Sequence, residues 1–238
     1  GSGHDVDVER LKSLAAFFDE TLDDYQFTVD GNEQFDSLDD LLRLFDVVAR
    51  EARGQRLVER LLYIEQPLHR GATFDTSRNR AMTEVRDIAP VIIDEADCAL
   101  AALPRALELG YRGISVKNCK GVFRALASRG LCEITDDAFQ SAEDLTNLPV
   151  VALQQDLATV AALGLPHVER NGHHYFRGLE HLSQREAEWA LQAHPELYVR
   201  HQNSARLDIR GGELELDSLE RPGYGAVGDP NLDPVAST

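Results

Sequence analysis

The sequence predicts an α/β fold built from repeated β-α units around a parallel sheet. Short apolar runs alternate with amphipathic segments along most of the chain, and that alternation implies parallel strands joined by helical crossovers. Three of the apolar runs end on carboxylates: Phe27-Thr28-Val29 on Asp30, Leu61 to Ile64 on Glu65, and Val91-Ile92-Ile93 on Asp94 and Glu95. Each step between these ends is about the length of one unit of a (β/α) TIM-type barrel, in which ~250 residues make eight. Such folds bind ligands at the carboxyl ends of their strands. Acidic ends on successive units therefore converge, and hard oxygen ligands gathered in this way suit Mg²⁺.

Taken in order, Asp7 to Leu22 carries Val8, Leu11, Leu14, Ala15, Phe18 and Leu22 at helical spacing, which predicts a helix with one buried face. Tyr25 to Val29 is the first strand. Ser37 has the character of an N-cap, with Asp39 and Asp40 in the first turn. The helix it opens buries Leu38, Leu41, Leu42, Leu44, Phe45, Val48 and Ala49 and is expected to run to about Arg53 and stop at Gly54. The strand ending at Glu65 must stop there, because Pro67 cannot extend a central strand.

A polar, basic loop from His69 to Arg80 follows, then a helix over about 79–87, the Pro90 strand, and a helix over about 99–109 closed by Gly110. Gly113 to Val116 is a strand ending at Lys117, and a helix runs from about Lys120 to Arg129, ending at Gly130. Ala138 to Glu143 reads as a short strand, 151–163 as a helix, and Pro166 to Glu169 as the last barrel strand. Ser183 and Glu186 form a capping box. Leu207 to Ile209 and Glu213 to Leu216 read as a hairpin turning at Gly211-Gly212. By this rhythm six strands end near Asp30, Glu65, Asp94, Lys117, Glu143 and Glu169.

Composition narrows the function classes. Among 238 residues, 43% are hydrophobic and 27% charged, values of a globular protein with room for a sizeable core. The 41 acidic residues outnumber the 24 Lys and Arg for a net charge of −17, which argues against nucleic acid and against anionic membrane surfaces as partners. Three cysteines without a C-x-x-C pair read as free thiols of a cytoplasmic protein. No apolar run approaches the ~20 residues of a membrane helix, and there is no signal-peptide pattern. The Gly-Ser-Gly start reads as a cloning scar or as the start of an excerpt.

Val29-Asp30-Gly31-Asn32, Tyr63 to Pro67 and Ile92 to Asp97 resemble the metal-ligand strands of the enolase superfamily, in its mandelate racemase and muconate lactonizing branches. Gly113 to Lys117 resembles the next barrel strand, carrying a lysine. Ile209 to Leu216 and Arg221 to Gly225 resemble the closing segment. The resemblance implies a barrel domain represented by about six of eight units, with a C-terminal β-hairpin return. Residues 1–182 would form the partial barrel, 183–227 the C-terminal helix and hairpin, and 228–238 a disordered tail. A capping domain, the first strands and a Lys-x-Lys pair would lie outside the sequence.

The same resemblance implies Mg²⁺, with Mn²⁺ as the alternative, bound by Asp30, Glu65 and Asp94, with Glu95 as the alternate third ligand. Asn32 and Gln66 would orient these carboxylates. The implied chemistry is removal of the proton α to the carboxylate of a small-molecule substrate through a metal-stabilised enediolate, in a racemase, epimerase or cycloisomerase. Lys117 would be the base on one face, while Glu169 and His173 are candidates for acid or substrate contact. An acid-sugar dehydratase, or a non-catalytic fragment or pseudoenzyme scaffold, is the alternative. The full-length protein is expected to be a homo-oligomer.

Overall fold

In a computed structural model the strands Phe27–Asp30 (β1), Leu61–Glu65 (β2), Val91–Ile93 (β3), Gly113–Val116 (β4) and Phe139–Ala142 (β5) form one five-stranded sheet in sequential order. The structure describes residues 3–144, 147, 150–170, 172 and 175–222. Pairing from β1 through β4 is parallel, with Asp30 opposite Glu65 and Ile93 opposite Ile114. This is the half-barrel expected from the strand–helix alternation. Residues of β3 and β4 are buried throughout, as in a parallel sheet covered on both faces. The sixth expected strand is reduced to a single parallel bridge between Glu143 and Glu169.

The helices are α1 (His4–Thr21) before β1, the crossovers α2 (Leu38–Val48), α3 (Ala52–Glu59), α4 (Met82–Ile88), α5 (Ala102–Glu108) and α6 (Val122–Glu133), and then α7 (Val151–Ala162) and α8 (Gln184–Ala193). Ser37 caps α2, its hydroxyl accepting from Asp40 N–H at 3.3 Å. Ser183 and Glu186 form the reciprocal capping box of α8. Two glycine stops are corrected. Gly54 lies inside α3, not at the end of α2, and a Cβ there would sit 1.9 Å from the Val48 carbonyl oxygen. Gly130 lies inside α6, which runs on to Glu133.

The chain divides into two compact units, residues 1–115 with 127–140, and 116–126 with 141–238. The first holds a core in which Leu41, Phe45, Ile64, Val85, Val91 and Ile93 pack together. A second cluster joins α1 to α2 and α3 through Val8, Leu11, Ala15, Leu44, Val48 and Leu57. In the second unit Leu153, Leu157, Leu179, Leu197 and Tyr198 form the main core.

The C-terminal hairpin lies earlier than its sequence suggests. It pairs Tyr198–His201 (β6) with Ser204–Leu207 (β7), leaving Gln202 and Asn203 as the turn. Gly211-Gly212 is spanned only by the bridge between Arg210 and Glu213. The tail expected over 228–238 lies outside the described residues. Cys98 and Cys119 are exposed thiols, and burial pushes that of Cys132 up to about 11. Among the described residues no helix is long and apolar enough to cross a membrane.

Candidate metal centre

In the first unit, β1, β2 and β3 deliver their carboxylates to adjacent strand ends. Register places Asp30 opposite Glu65, and Gly31 N–H donates to the Glu65 carbonyl at 2.8 Å. Only glycine fits at 31, since an added Cβ would lie 2.6 Å from the Pro67 Cα. Beyond it the chain turns through two left-handed residues, Asn32 (φ 44°) and Glu33 (φ 62°). Asparagine tolerates that region better than most residues. From this turn Asn32 holds both oxygens of Asp30, its backbone N–H at 2.8 Å and its side-chain amide at 2.6 Å.

Glu65 and Asp94 are buried, 3% and 1% exposed. Each offers a carboxylate oxygen within 4.8 Å of the other's. Two carboxylates so close and so dry repel one another in their charged forms. A divalent cation turns that repulsion into ligation, and all-oxygen donors match Mg²⁺ or Mn²⁺. Glu95, the alternate ligand, is half-buried beside Asp94.

Gln66 acts on the backbone of the next strand's turn. Fully buried and left-handed (φ 31°), it reaches the turn after β3. Its Oε1 accepts from Asp94 N–H at 2.7 Å and Ala96 N–H at 3.1 Å. Its Nε2 donates to the Leu68 carbonyl at 2.7 Å and the Thr73 hydroxyl at 2.9 Å. One carboxamide thus spans the strand end that carries Glu65 and the turn that carries Asp94.

A clamp that the sequence does not announce sits on the same loops. Arg70 grips Glu33 with Nε at 2.9 Å, Nη2 at 2.7 Å and its backbone N–H at 2.5 Å. Hydrogen bonding to Arg70 holds the Glu33 carboxyl below its ordinary range. The Arg70 guanidinium is pushed up in turn, first by Glu33 and also by the charges of Glu95 and Asp94. The basic character of the His69–Arg80 loop is legible in the sequence; its partner at Glu33 is not.

In the second unit Lys117 follows β4, and its Nζ lies 2.7 Å from Glu143 Oε2. The two side chains are 9% and 12% exposed. Glu143 is brought there by its N–H bond to the Val116 carbonyl at 3.0 Å. The sequence places both at strand ends but does not pair them. Glu169 is exposed, and its backbone completes the bridge by donating to Ala142 O and accepting from Asp144 N–H. His173 lies outside the described residues.

Solved structures share this fold. A mandelate racemase/muconate lactonizing protein from Herpetosiphon aurantiacus matches with a TM-score of 0.55 and 19% identity over 71% of this chain and 44% of its own. A dipeptide epimerase from Enterococcus faecalis V583 matches with a TM-score of 0.54 and 19% identity over 71% and 45%. The muconate lactonizing enzyme from Pseudomonas putida matches with a TM-score of 0.50 and 20% identity over 68% and 43%. The chain spans less than half the length of these structures. No family model and no curated protein sequence matches it. At the level of fold, the likenesses support the resemblance to the enolase superfamily carried by the strand-end motifs.

Proposed function

We propose that this chain carries the metal-binding strands of an enolase-superfamily enzyme that removes the proton α to the carboxylate of a small-molecule substrate. The observation that carries the reading is the pair of buried carboxylates, Glu65 and Asp94, brought within 4.8 Å on successive strands with Asp30 in register beside Glu65. Asp30, Glu65 and Asp94 would hold Mg²⁺, with Glu95 as the alternate to Asp94. A bound divalent cation supplies charge stabilisation for a carboxylate whose neighbouring carbon is losing its proton.

The chain's own residues supply the rest. Asn32 orients Asp30, and Gln66 fixes the turn that aims Asp94. Lys117 would serve as the base: its ammonium would first hand a proton to the paired Glu143 carboxylate, and the neutral Nζ would then take the substrate's α-proton. The two groups lie 2.7 Å apart and are nearly buried, which gives that proton a short path between them. Racemisation or epimerisation, or cycloisomerisation, is the reaction type that the fold neighbours favour.

Calorimetric titration of Mg²⁺ into the chain tests the metal reading. One saturable site is expected, abolished by Glu65→Gln and weakened at least tenfold by Asp30→Asn or Asp94→Asn. A folded chain that binds no Mg²⁺, or binds it equally well in all three variants, refutes the ligand set.

A further inference from the structure

The second unit contains a cavity of about 460 Å³ between the segment after the Glu169 bridge and the β6-β7 hairpin. That is a volume small organic ligands fill. Leu153, Phe176, Leu179 and Leu207 line it with apolar surface, and Arg177 and Arg206 also contribute to its wall. Acidic residues exceed basic ones by a wide margin, and several arginines are taken up by them: Arg56 by Asp19, Arg70 by Glu33, Arg200 by Glu188. The Arg177 and Arg206 guanidiniums make no ion pair or side-chain hydrogen bond with any of the described residues.

The cavity's carboxylates are already committed. Asp144 is paired with Arg170 at 2.7 Å, whose other amine holds the buried Asp156 at 2.7 Å, and Asp208 is paired with Arg210 at 2.5 Å. Among the described lining residues, three arginines, Arg170, Arg177 and Arg206, stand against two aspartates, Asp144 and Asp208. A local positive excess therefore stands within a strongly acidic chain.

The backbone segments that carry these two arginines are pressed together. Gly178 is left-handed (φ 58°), and a Cβ there would lie 2.4 Å from the Ala205 carbonyl oxygen and 2.7 Å from the Arg206 Cβ. Leu179 N–H donates to that same carbonyl at 2.8 Å. The Arg177–Leu179 turn is thus pressed onto β7 beside Arg206. Two cationic side chains rooted on adjoining backbone, lining a cavity with an apolar wall, suit an anionic head on an apolar body.

We propose that this cavity binds a small organic carboxylate, its head gripped by Arg177 and Arg206 and its apolar body lodged against Leu153, Phe176 and Leu179. The proposal uses no residue of the metal reading. Phenylacetate, its neutral counterpart phenylacetamide, and the anionic dye 8-anilinonaphthalene-1-sulfonate are suitable probes, read by calorimetry and by dye displacement on the whole chain. Phenylacetate is expected to saturate one site and displace the dye, with phenylacetamide at least about tenfold weaker, the loss of a charge-assisted hydrogen bond.

Arg177→Gln and Arg206→Gln, both at exposed positions, should each weaken phenylacetate by a similar factor without moving phenylacetamide. Glu65→Gln should leave phenylacetate binding unchanged, which separates this test from that of the metal. The proposal is overturned if the folded chain fails to bind phenylacetate saturably, binds the amide equally well, or ignores both arginine substitutions. It is equally overturned if Glu65→Gln, rather than the arginine variants, removes binding.

Discussion

Replacing Gln66 with methionine would keep its volume and left-handed backbone but remove every side-chain hydrogen bond it makes. The Asp94 and Ala96 amides would lose their shared acceptor, and the Leu68 carbonyl would lose its 2.7 Å donor. Leu68 retains only a long contact from the Thr73 hydroxyl at 3.4 Å. Gln66 itself is fully buried, so water does not replace the lost partners. Two orphaned buried donors at about 1–3 kcal/mol each give a loss of roughly 2–6 kcal/mol, a large share of the ~5–15 kcal/mol that holds a domain together. At about 2–4 °C per kcal/mol for a chain of this size, the melting temperature should fall by roughly 5–20 °C. Thermal unfolding followed by circular dichroism measures it. Hydrogen exchange should show the Asp94 and Ala96 amides losing protection first. A Gln66→Met protein that melts within about 2 °C of the parent, less than ~1 kcal/mol by the same conversion, would refute the assignment of Gln66 as the element that holds the Asp94 turn.

Other substitutions probe other elements. Gly54→Ala drives a methyl group into the Val48 carbonyl and should cost at least about 2 kcal/mol in urea denaturation; an unchanged midpoint would contradict the close α2–α3 approach. Lys117→Met strips Glu143 of its ammonium partner and should cost about 3 kcal/mol, whereas Lys117→Met with Glu143→Leu should recover most of that. Full additivity of the two losses would show that the pair is not coupled. Acid should release the Glu33–Arg70 clamp. The folded Glu33 pKa is depressed, so its contribution is complete above the unfolded value of about 4.3 and is lost as pH falls through the folded value. The melting difference between the parent and Arg70→Gln should therefore be present at pH 7 and shrink below about pH 4; a gap that stays constant with pH would remove the clamp from the account.

Features encoded within a few residues were legible in the sequence. Ser37 and Ser183 announce their helices because the capping hydroxyl and its N–H lie three residues apart. Strand ends at Glu65 and Asp94 were marked by an apolar run meeting Pro67 or a pair of acids. What was hidden depends on distance along the chain. Gly54 looks like a helix stop, yet it is glycine because another helix's carbonyl occupies the space of its side chain. Gln66 looks like a companion of Glu65, but the amides its Oε1 holds lie 28 and 30 residues on. Lys117 and Glu143 meet only once the sheet has brought their strand ends together. The hairpin was misplaced because its turn uses Gln202 (φ 51°) where a glycine would have advertised it. The conspicuous Gly211-Gly212 spans a lone bridge instead.

The bifurcated grip of Gln66 on the amides of Asp94 and Ala96 acts as a length gauge. An inserted or deleted residue between positions 94 and 96 would slide one amide out of reach and carry the carboxylate with it. Connections between strands and helices elsewhere in such folds can change length with little effect on the elements they join. Here the turn after β3 is set to a fixed count by a side chain on the neighbouring strand. In a lineage of related sequences, gaps in alignment should fall on either side of this turn and leave its interior intact wherever a glutamine stands at the position of Gln66.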